Sequence, residues 1–98
     1  MTDIQTLTKE KIKLDEPGMY DVLFLNDNIT TMEFVVKVLK QIYNKTPEQA
    51  QNITVRIHED GQGVVGSYVH EVAEQKGIET TLAARQENFP LQVKVKKQ

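Results

Sequence analysis

The chain of 98 residues contains no cysteine, no tryptophan and only two histidines, His58 and His70. Without cysteine it can form no disulfide, no thiolate zinc site and no cysteine nucleophile. The two histidines fall in different predicted elements and form no pair with ligand spacing to a carboxylate, so no metal site is expected. Aromatic residues make up only 6% of the sequence, and the core must therefore consist mainly of valine, isoleucine and leucine.

Long apolar runs and an excess of basic charge are also missing. No stretch of about 18 apolar residues exists that could span a membrane, and the first residues, MTDI, lack the order of a secretory signal. The formal net charge is −2, whereas nucleic-acid-binding domains usually carry a basic face. We therefore expect a small cytoplasmic protein of one domain, with neither a membrane nor a nucleic acid as partner.

The sequence motifs of common enzyme classes are absent as well. There is no phosphate-binding loop and no Gly-x-Ser-x-Gly, and Ser67 is the only serine. The turn at Gly61 and Gly63 lacks the third glycine and the strand-then-helix context of a dinucleotide site. The chain is accordingly not expected to be an enzyme, and neither a catalytic residue nor a cofactor is predicted.

The spacing of apolar residues predicts the element order β-α-α-β-α-β. This order indicates an α+β domain in which three helices pack on a three-stranded antiparallel sheet. Strands are expected at 19–25, 64–69 and 91–96; helices are expected from Thr30 to Tyr43, from Pro47 to Asp60 and at 71–86. Pro17 and Gly18 form the predicted boundary between a flexible tail, 1–17, and the domain, 18–98.

Two capping boxes mark the predicted starts of the first two helices. In the first, Thr30 is expected to accept a hydrogen bond from a backbone N–H while Glu33 reaches back. In the second, Thr46 is expected to accept from a backbone N–H while Gln49 reaches back, and Pro47 occupies the first helical position.

Short polar side chains follow the first strand, where an amphipathic helix begins. Asn26, Asp27 and Asn28 place side-chain oxygens at a surface edge beside an apolar helix face. This pattern suits a ligand with a positive head and an apolar side chain, and it also suits an ordinary turn. His58 is either a histidine favoured near a helix C-terminus by the dipole or a hydrogen-bond acceptor at a pocket rim. Met32 in an apolar stripe usually fills gaps in the core.

Several segments together resemble the ClpS family, the bacterial adaptors of the Clp protease. They are MYDVLFLND at 19–27, MEFVV at 32–36, Ile57-His58, EVAEQK at 71–76 and ENFPL at 87–91. The resemblance implies a binding module that captures substrate proteins beginning with Leu, Phe, Tyr or Trp, called N-degrons. It also implies delivery of these substrates to a ClpA-type AAA+ ATPase through the N-terminal domain of that ATPase.

The resemblance also implies a role for individual residues. The α-amine of the substrate would be bound by Asn26, Asn28 and His58, with Asp27 as a further candidate. The pocket for the first side chain would be lined by Thr30, Met32, Val35, Thr54, Ile57 and Leu91. Glu71 and Lys76 would belong to the ATPase-docking surface, and the tail 1–17 would be the flexible delivery extension of a monomer.

The chemistry of a free N-terminus agrees with these residue types. An ammonium group has three donors, and an asparagine oxygen, a carboxylate and a neutral imidazole nitrogen supply three acceptors. An apolar cavity beside them would contribute on the order of 1.5–3 kcal/mol for a buried Leu or Phe side chain. A methionine at the mouth should exclude Ile and Val, which branch at the β-carbon.

Two positions depart from the family pattern and support an alternative function. Asn28 stands where the family has a second acid, and losing about 1 kcal/mol of charge-assisted hydrogen bonding would weaken binding on the order of tenfold. Thr54 replaces a large apolar side chain, which predicts a pocket that is roomier or more polar. The alternative is a regulatory domain that docks on the ATPase without N-degron binding. A domain like that of the ribosomal stalk, a third interpretation, rests on fold analogy alone.

Overall fold

The computed structural model describes residues 18–98. The predicted flexible tail and delivery extension, 1–17, lie outside the described residues. The elements are β1 (Met19–Leu25), α1 (Met32–Gln41), α2 (Pro47–Asp60), β2 (Gln62–Val69), α3 (His70–Gln86) and β3 (Gln92–Lys97). This order, β-α-α-β-α-β, confirms the predicted α+β class.

The three strands form one antiparallel sheet in the order β2-β1-β3, so the first strand lies in the centre. Val22 and Phe24 of β1 are fully buried, and they pair with Val95 and Val93 of β3. The lysines that alternate with these valines are exposed. β3 is therefore half-exposed, as its sequence predicts, and its apolar side faces the helices.

The start of α1 corrects one prediction. Thr31 is the N-cap, and its Oγ1 accepts from the backbone N–H of Phe34 at 3.2 Å. The expectation that Thr30 caps this helix is wrong, because its hydroxyl donates to Asp27 instead, at 2.7 Å. The helix ends at Gln41, two residues before the predicted Tyr43, and Asn44 has a φ of 54° that no α-helix can continue through.

The start of α2 confirms the second capping box. The Thr46 hydroxyl accepts from the Gln49 N–H, and the Gln49 side chain accepts from the Thr46 N–H, both at 3.1 Å. Pro47 is the first residue of the helix, where its missing N–H costs nothing. The helix ends at Asp60, and Gly61, whose φ is +84°, is its C-cap.

One apolar core lies between the helices and the sheet. Its buried residues are Val22, Phe24, Phe34, Val35, Val38, Leu39, Tyr43, Ala50, Ile57, Val65, Ala73, Ala84 and Leu91. Every buried side-chain nitrogen or oxygen within residues 18–98 has a hydrogen-bond partner. In that same part of the chain, no helix is long and apolar enough to cross a membrane.

Candidate functional site

The end of β1 is tied to the end of α2 by a backbone hydrogen bond. The N–H of Asn26 donates to the carbonyl oxygen of Gly61 at 2.9 Å, and the N–H of Gly61 donates to Ile57 at the same distance. His58 follows Ile57 in the last turn of α2, and both Asn26 and His58 are exposed. The backbone therefore brings Asn26 and the turn that carries His58 to one edge of the domain.

The carboxylate of Asp27 organises the loop between β1 and α1. Its Oδ1 accepts from the N–H groups of Ile29 at 2.8 Å and Thr30 at 2.6 Å, and its Oδ2 accepts from the Thr30 hydroxyl at 2.7 Å. Most of its acceptor capacity is thus used inside the loop. Asn28 is exposed in this loop. Asp27 therefore supports the loop, and the remaining candidate ligands for an amine are Asn26, Asn28 and His58.

The surroundings of Asp27 favour its charged form. Partial burial raises the pKa of Asp27, but the hydrogen bonds from Thr30 and Ile29 and the positive charge of Arg85 outweigh it. The pKa therefore lies below its usual value of 3.8.

Arg85 is a residue near the site that the sequence did not single out. Its Nη1 donates to the carbonyl oxygens of Phe89 at 2.8 Å and Leu91 at 3.0 Å, and so it fixes the loop between α3 and β3. The only sequence signal was a cation in the last turn of a predicted helix. A depression of about 270 Å³ separates this loop from the end of β1, and it is lined by Leu25, Asn26, Asp27, Pro90 and Gln92.

A groove of about 390 Å³ lies between α1 and α2, and we call it the helix groove. It is lined by Met32, Glu33, Val36, Lys37, Lys40, Gln51, Thr54 and Val55. Met32 is 45% exposed, so it lies at the mouth rather than filling the core. Met32 and Thr54 are the two predicted pocket residues that the structure brings together in this groove.

The other predicted pocket residues have different surroundings. Val35, Ile57 and Leu91 are buried members of the apolar core, and Thr30 belongs to the Asp27 loop. Thr54 is buried too, and its hydroxyl donates to the carbonyl oxygen of Ala50 in its own helix at 2.7 Å. Because that hydroxyl is already satisfied, the structure favours the roomier pocket over the more polar one.

Of the two predicted docking residues, Glu71 is exposed to solvent, whereas Lys76 is held by contacts within the domain. Glu71 is exposed in the first turn of α3. The ammonium of Lys76 donates to the carbonyl oxygen of Ile42 at 2.7 Å and lies 5.7 Å and 5.2 Å from the ring centroids of Tyr43 and Tyr68. Lys76 therefore also fastens α3 to the end of α1.

Comparison with known proteins gives the family. The family model described as ATP-dependent Clp protease adaptor protein ClpS matches residues 15–94. The chain belongs to the ClpS family. The ClpS adapter protein of Campylobacter jejuni subsp. doylei is 42% identical over 95 residues, covering 97% of this chain and 99% of that protein. The ClpS adapter protein of Lawsonia intracellularis is 49% identical over 87 residues, 89% of this chain and 78% of that protein.

A solved ClpS structure has the same fold. Agrobacterium tumefaciens ClpS2 bound to L-phenylalaninamide matches with a TM-score of 0.82 and 30% identity, over 85% of this chain and 100% of that chain. The protein is therefore an adaptor of the Clp protease and not itself an enzyme. An adaptor of this protease works between substrates and an AAA+ ATPase.

Proposed function

We propose that this chain binds proteins that begin with Leu, Phe, Tyr or Trp and delivers them to a ClpA-type ATPase. The observation that carries the proposal is the position of the helix groove. Its Met32–Thr54 end lies one turn of α2 from His58, and the Asn26–Gly61 hydrogen bond holds the end of β1 at this same turn. This position near Asn26 and His58 supports the groove as the place where the first side chain would bind.

The amine would be held by neutral acceptors. The side-chain oxygens of Asn26 and Asn28 and an unprotonated nitrogen of His58 offer one acceptor each to the three ammonium donors. Since Asp27 is engaged by Ile29 and Thr30, this set contains no free carboxylate. We therefore expect weaker binding than a set with one charged acceptor would give.

The first side chain would enter beside Met32. Burying a Leu or Phe side chain there contributes on the order of 1.5–3 kcal/mol. The thioether at the mouth leaves little room next to the substrate backbone, so Ile and Val, branched at the β-carbon, are excluded. Agrobacterium tumefaciens ClpS2 was solved bound to L-phenylalaninamide. This compound has a free α-amine and a bulky aromatic side chain, the two groups that the proposed site would bind.

Delivery would use a different face of the domain. Glu71 and Lys76 on α3 would dock on the N-terminal domain of the ATPase, with residues 1–17 as the delivery extension and one chain as the working unit in the cytoplasm. Glu71 is exposed and could contact the ATPase directly. Lys76 would first have to give up its hydrogen bond to the carbonyl oxygen of Ile42.

The proposal is tested by fluorescence anisotropy. A labelled peptide that begins with Leu or Phe is titrated beside its N-acetylated twin, which differs only in the amine. Micromolar or tighter binding that acetylation abolishes supports the proposal. Equal binding of both peptides indicates a non-specific apolar groove, and no binding of either favours the domain that docks on the ATPase without N-degron binding; both results contradict the proposal.

A further inference from the structure

The helix groove extends well beyond the place proposed for the first substrate residue. The connection 42–46 joins the end of α1 to the start of α2, and the Asn26–Gly61 hydrogen bond holds the end of α2 near the strand end that precedes α1. Met32 and Thr54 therefore lie toward one end of the groove, and Lys40 and Gln51 lie toward the other. Val36 and Val55 supply apolar surface between the two ends. A substrate whose first side chain sits at Met32 therefore has room to continue along the same groove.

The far half of the groove is positively charged. Lys37 and Lys40 of α1 both line it, and its one acidic lining residue, Glu33, lies next to Met32 at the other end. Lys37 is 3.6 Å from Glu87, but these side chains are 55% and 46% exposed. Such an exposed pair contributes little, so Lys37 can exchange Glu87 for a substrate carboxylate at small cost.

The spacing of these lysines matches an extended peptide. Lys37 is five residues after Met32 and Lys40 is eight, which correspond to about 7.5 Å and about 12 Å along the helix. An extended chain advances about 3.3 Å per residue. With the first residue at Met32, the third residue lies opposite Lys37, and the fourth or fifth lies opposite Lys40.

We propose that the helix groove binds the residues following the N-terminal residue of the substrate and prefers Asp or Glu at the third to fifth positions. Lys37 and Lys40 are the specificity-determining residues of this extended site. The inference rests on the proposed function, because the same peptide must place its first residue at Met32. It adds to that function a second feature by which substrates would be selected: acidic residues that follow the bulky first residue.

The test compares labelled peptides that begin with Phe and carry either Glu or Gln at the third and fourth positions, each with an N-acetylated twin. We expect the Glu peptide with a free amine to bind about two- to fivefold more tightly at low salt. This advantage should shrink as NaCl is added, since the lysines are exposed. In the double variant Lys37→Glu, Lys40→Glu the preference should reverse in favour of Gln.

The matched control is the double variant Lys94→Glu, Lys96→Glu on the exposed side of β3. It makes the same change in net charge away from the helix groove, and it should keep the preference for Glu. Equal binding of Glu and Gln peptides, or equal effects of the two double variants, would overturn the inference and leave the proposed function standing. If no free-amine peptide binds, the proposed function fails and the inference fails with it.

Discussion

The backbone N–H of Asn26 donates to the carbonyl oxygen of Gly61 at 2.9 Å, and Gly61 has a φ of +84°. A glycine adopts this left-handed conformation without strain, so α2 can end here and turn a carbonyl group toward β1. The relative position of Asn26 and the His58 turn therefore depends on one glycine.

Replacing this glycine should damage both stability and binding. Gly61→Ala places a side chain in the left-handed region, and we expect a loss of about 1–2 kcal/mol in the free energy of unfolding. Peptide affinity should fall as well, because the Asn26–Gly61 bond is disturbed. Urea denaturation and anisotropy measure the two effects.

Gly77→Ala is the matched control and should act in the opposite direction. A methyl group there would meet Val93 and Val95 at ordinary contact distances of 3.5 Å and 3.7 Å. Removing a mid-helix glycine should then stabilise the domain by up to about 1 kcal/mol. A Gly61→Ala variant as stable as the parent would contradict the argument from the backbone conformation.

Introducing an acid at position 28 should tighten substrate binding. Asn28→Asp adds a charged acceptor for the ammonium, and a gain of about 1 kcal/mol corresponds to roughly five- to tenfold in affinity. Anisotropy with a Leu- or Phe-starting peptide measures the change. Asn52→Asp, on an exposed face of α2, alters the net charge equally and should have little effect. An unchanged or weaker affinity of Asn28→Asp would count against the role of Asn28 at the amine.

The two capping boxes show how far local sequence rules reach. No other threonine or serine stands next to Thr46 that could cap α2 in its place, and the capping box of Thr46 with Gln49 is formed as predicted. Thr30 and Thr31 are both able to cap α1, and the choice is made by Asp27, which takes the Thr30 hydroxyl. The capping-box rule considers only residues that follow the cap, so it does not include Asp27, which precedes Thr30.

Packing decides other features that sequence patterns leave open. β2 begins at Gln62 rather than at the predicted Val64, and a β-carbon on Gly63 would lie 2.9 Å from Ile57 Cγ1. The absence of a side chain at Gly63 therefore allows β2 to approach α2 closely, in addition to any role in the turn. The helix groove likewise needs two helices side by side, so the joint position of Met32, Lys40 and Val55 in it was not predictable from either helix alone.

The loop role of Asp27 predicts a pH-dependent loss of stability. Asp27→Asn cannot accept from the Thr30 hydroxyl through its amide nitrogen, and we expect a loss of about 1–2 kcal/mol at pH 7. The pKa of Asp27 is lowered in the folded protein, so the stabilisation is present above the unfolded value near 3.8 and is lost as pH falls below it. The stability curves of parent and variant should therefore converge below about pH 4.

Urea denaturation between pH 3 and pH 7 checks this convergence. Asp60→Asn, at the exposed end of α2, is the control and should show no comparable gap at neutral pH. A difference between the parent and Asp27→Asn that stays constant over the whole range would show that the Asp27 charge does not support the loop.

Tyr43 predicts a loss of stability at alkaline pH. Burial raises the pKa of Tyr43 to about 12. The Thr80 hydroxyl donates to the Lys76 carbonyl, so Tyr43 is the donor in its 2.8 Å bond to Thr80, and ionisation removes that donor. Because the unfolded chain releases this proton near pH 10, stability is complete below pH 10 and falls by about 2–3 kcal/mol toward pH 12.

Tyr43→Phe isolates this contribution. The variant should lose about 1 kcal/mol at pH 8 with its hydrogen bond, but its stability should fall less steeply between pH 10 and pH 12, as followed by denaturation at each pH. Burial also raises the pKa of Tyr68, so Tyr68→Phe is the control that retains the steep Tyr43 dependence. If Tyr43→Phe and the parent lost stability in parallel above pH 10, ionisation of Tyr43 would not be the cause, and another group would have to be.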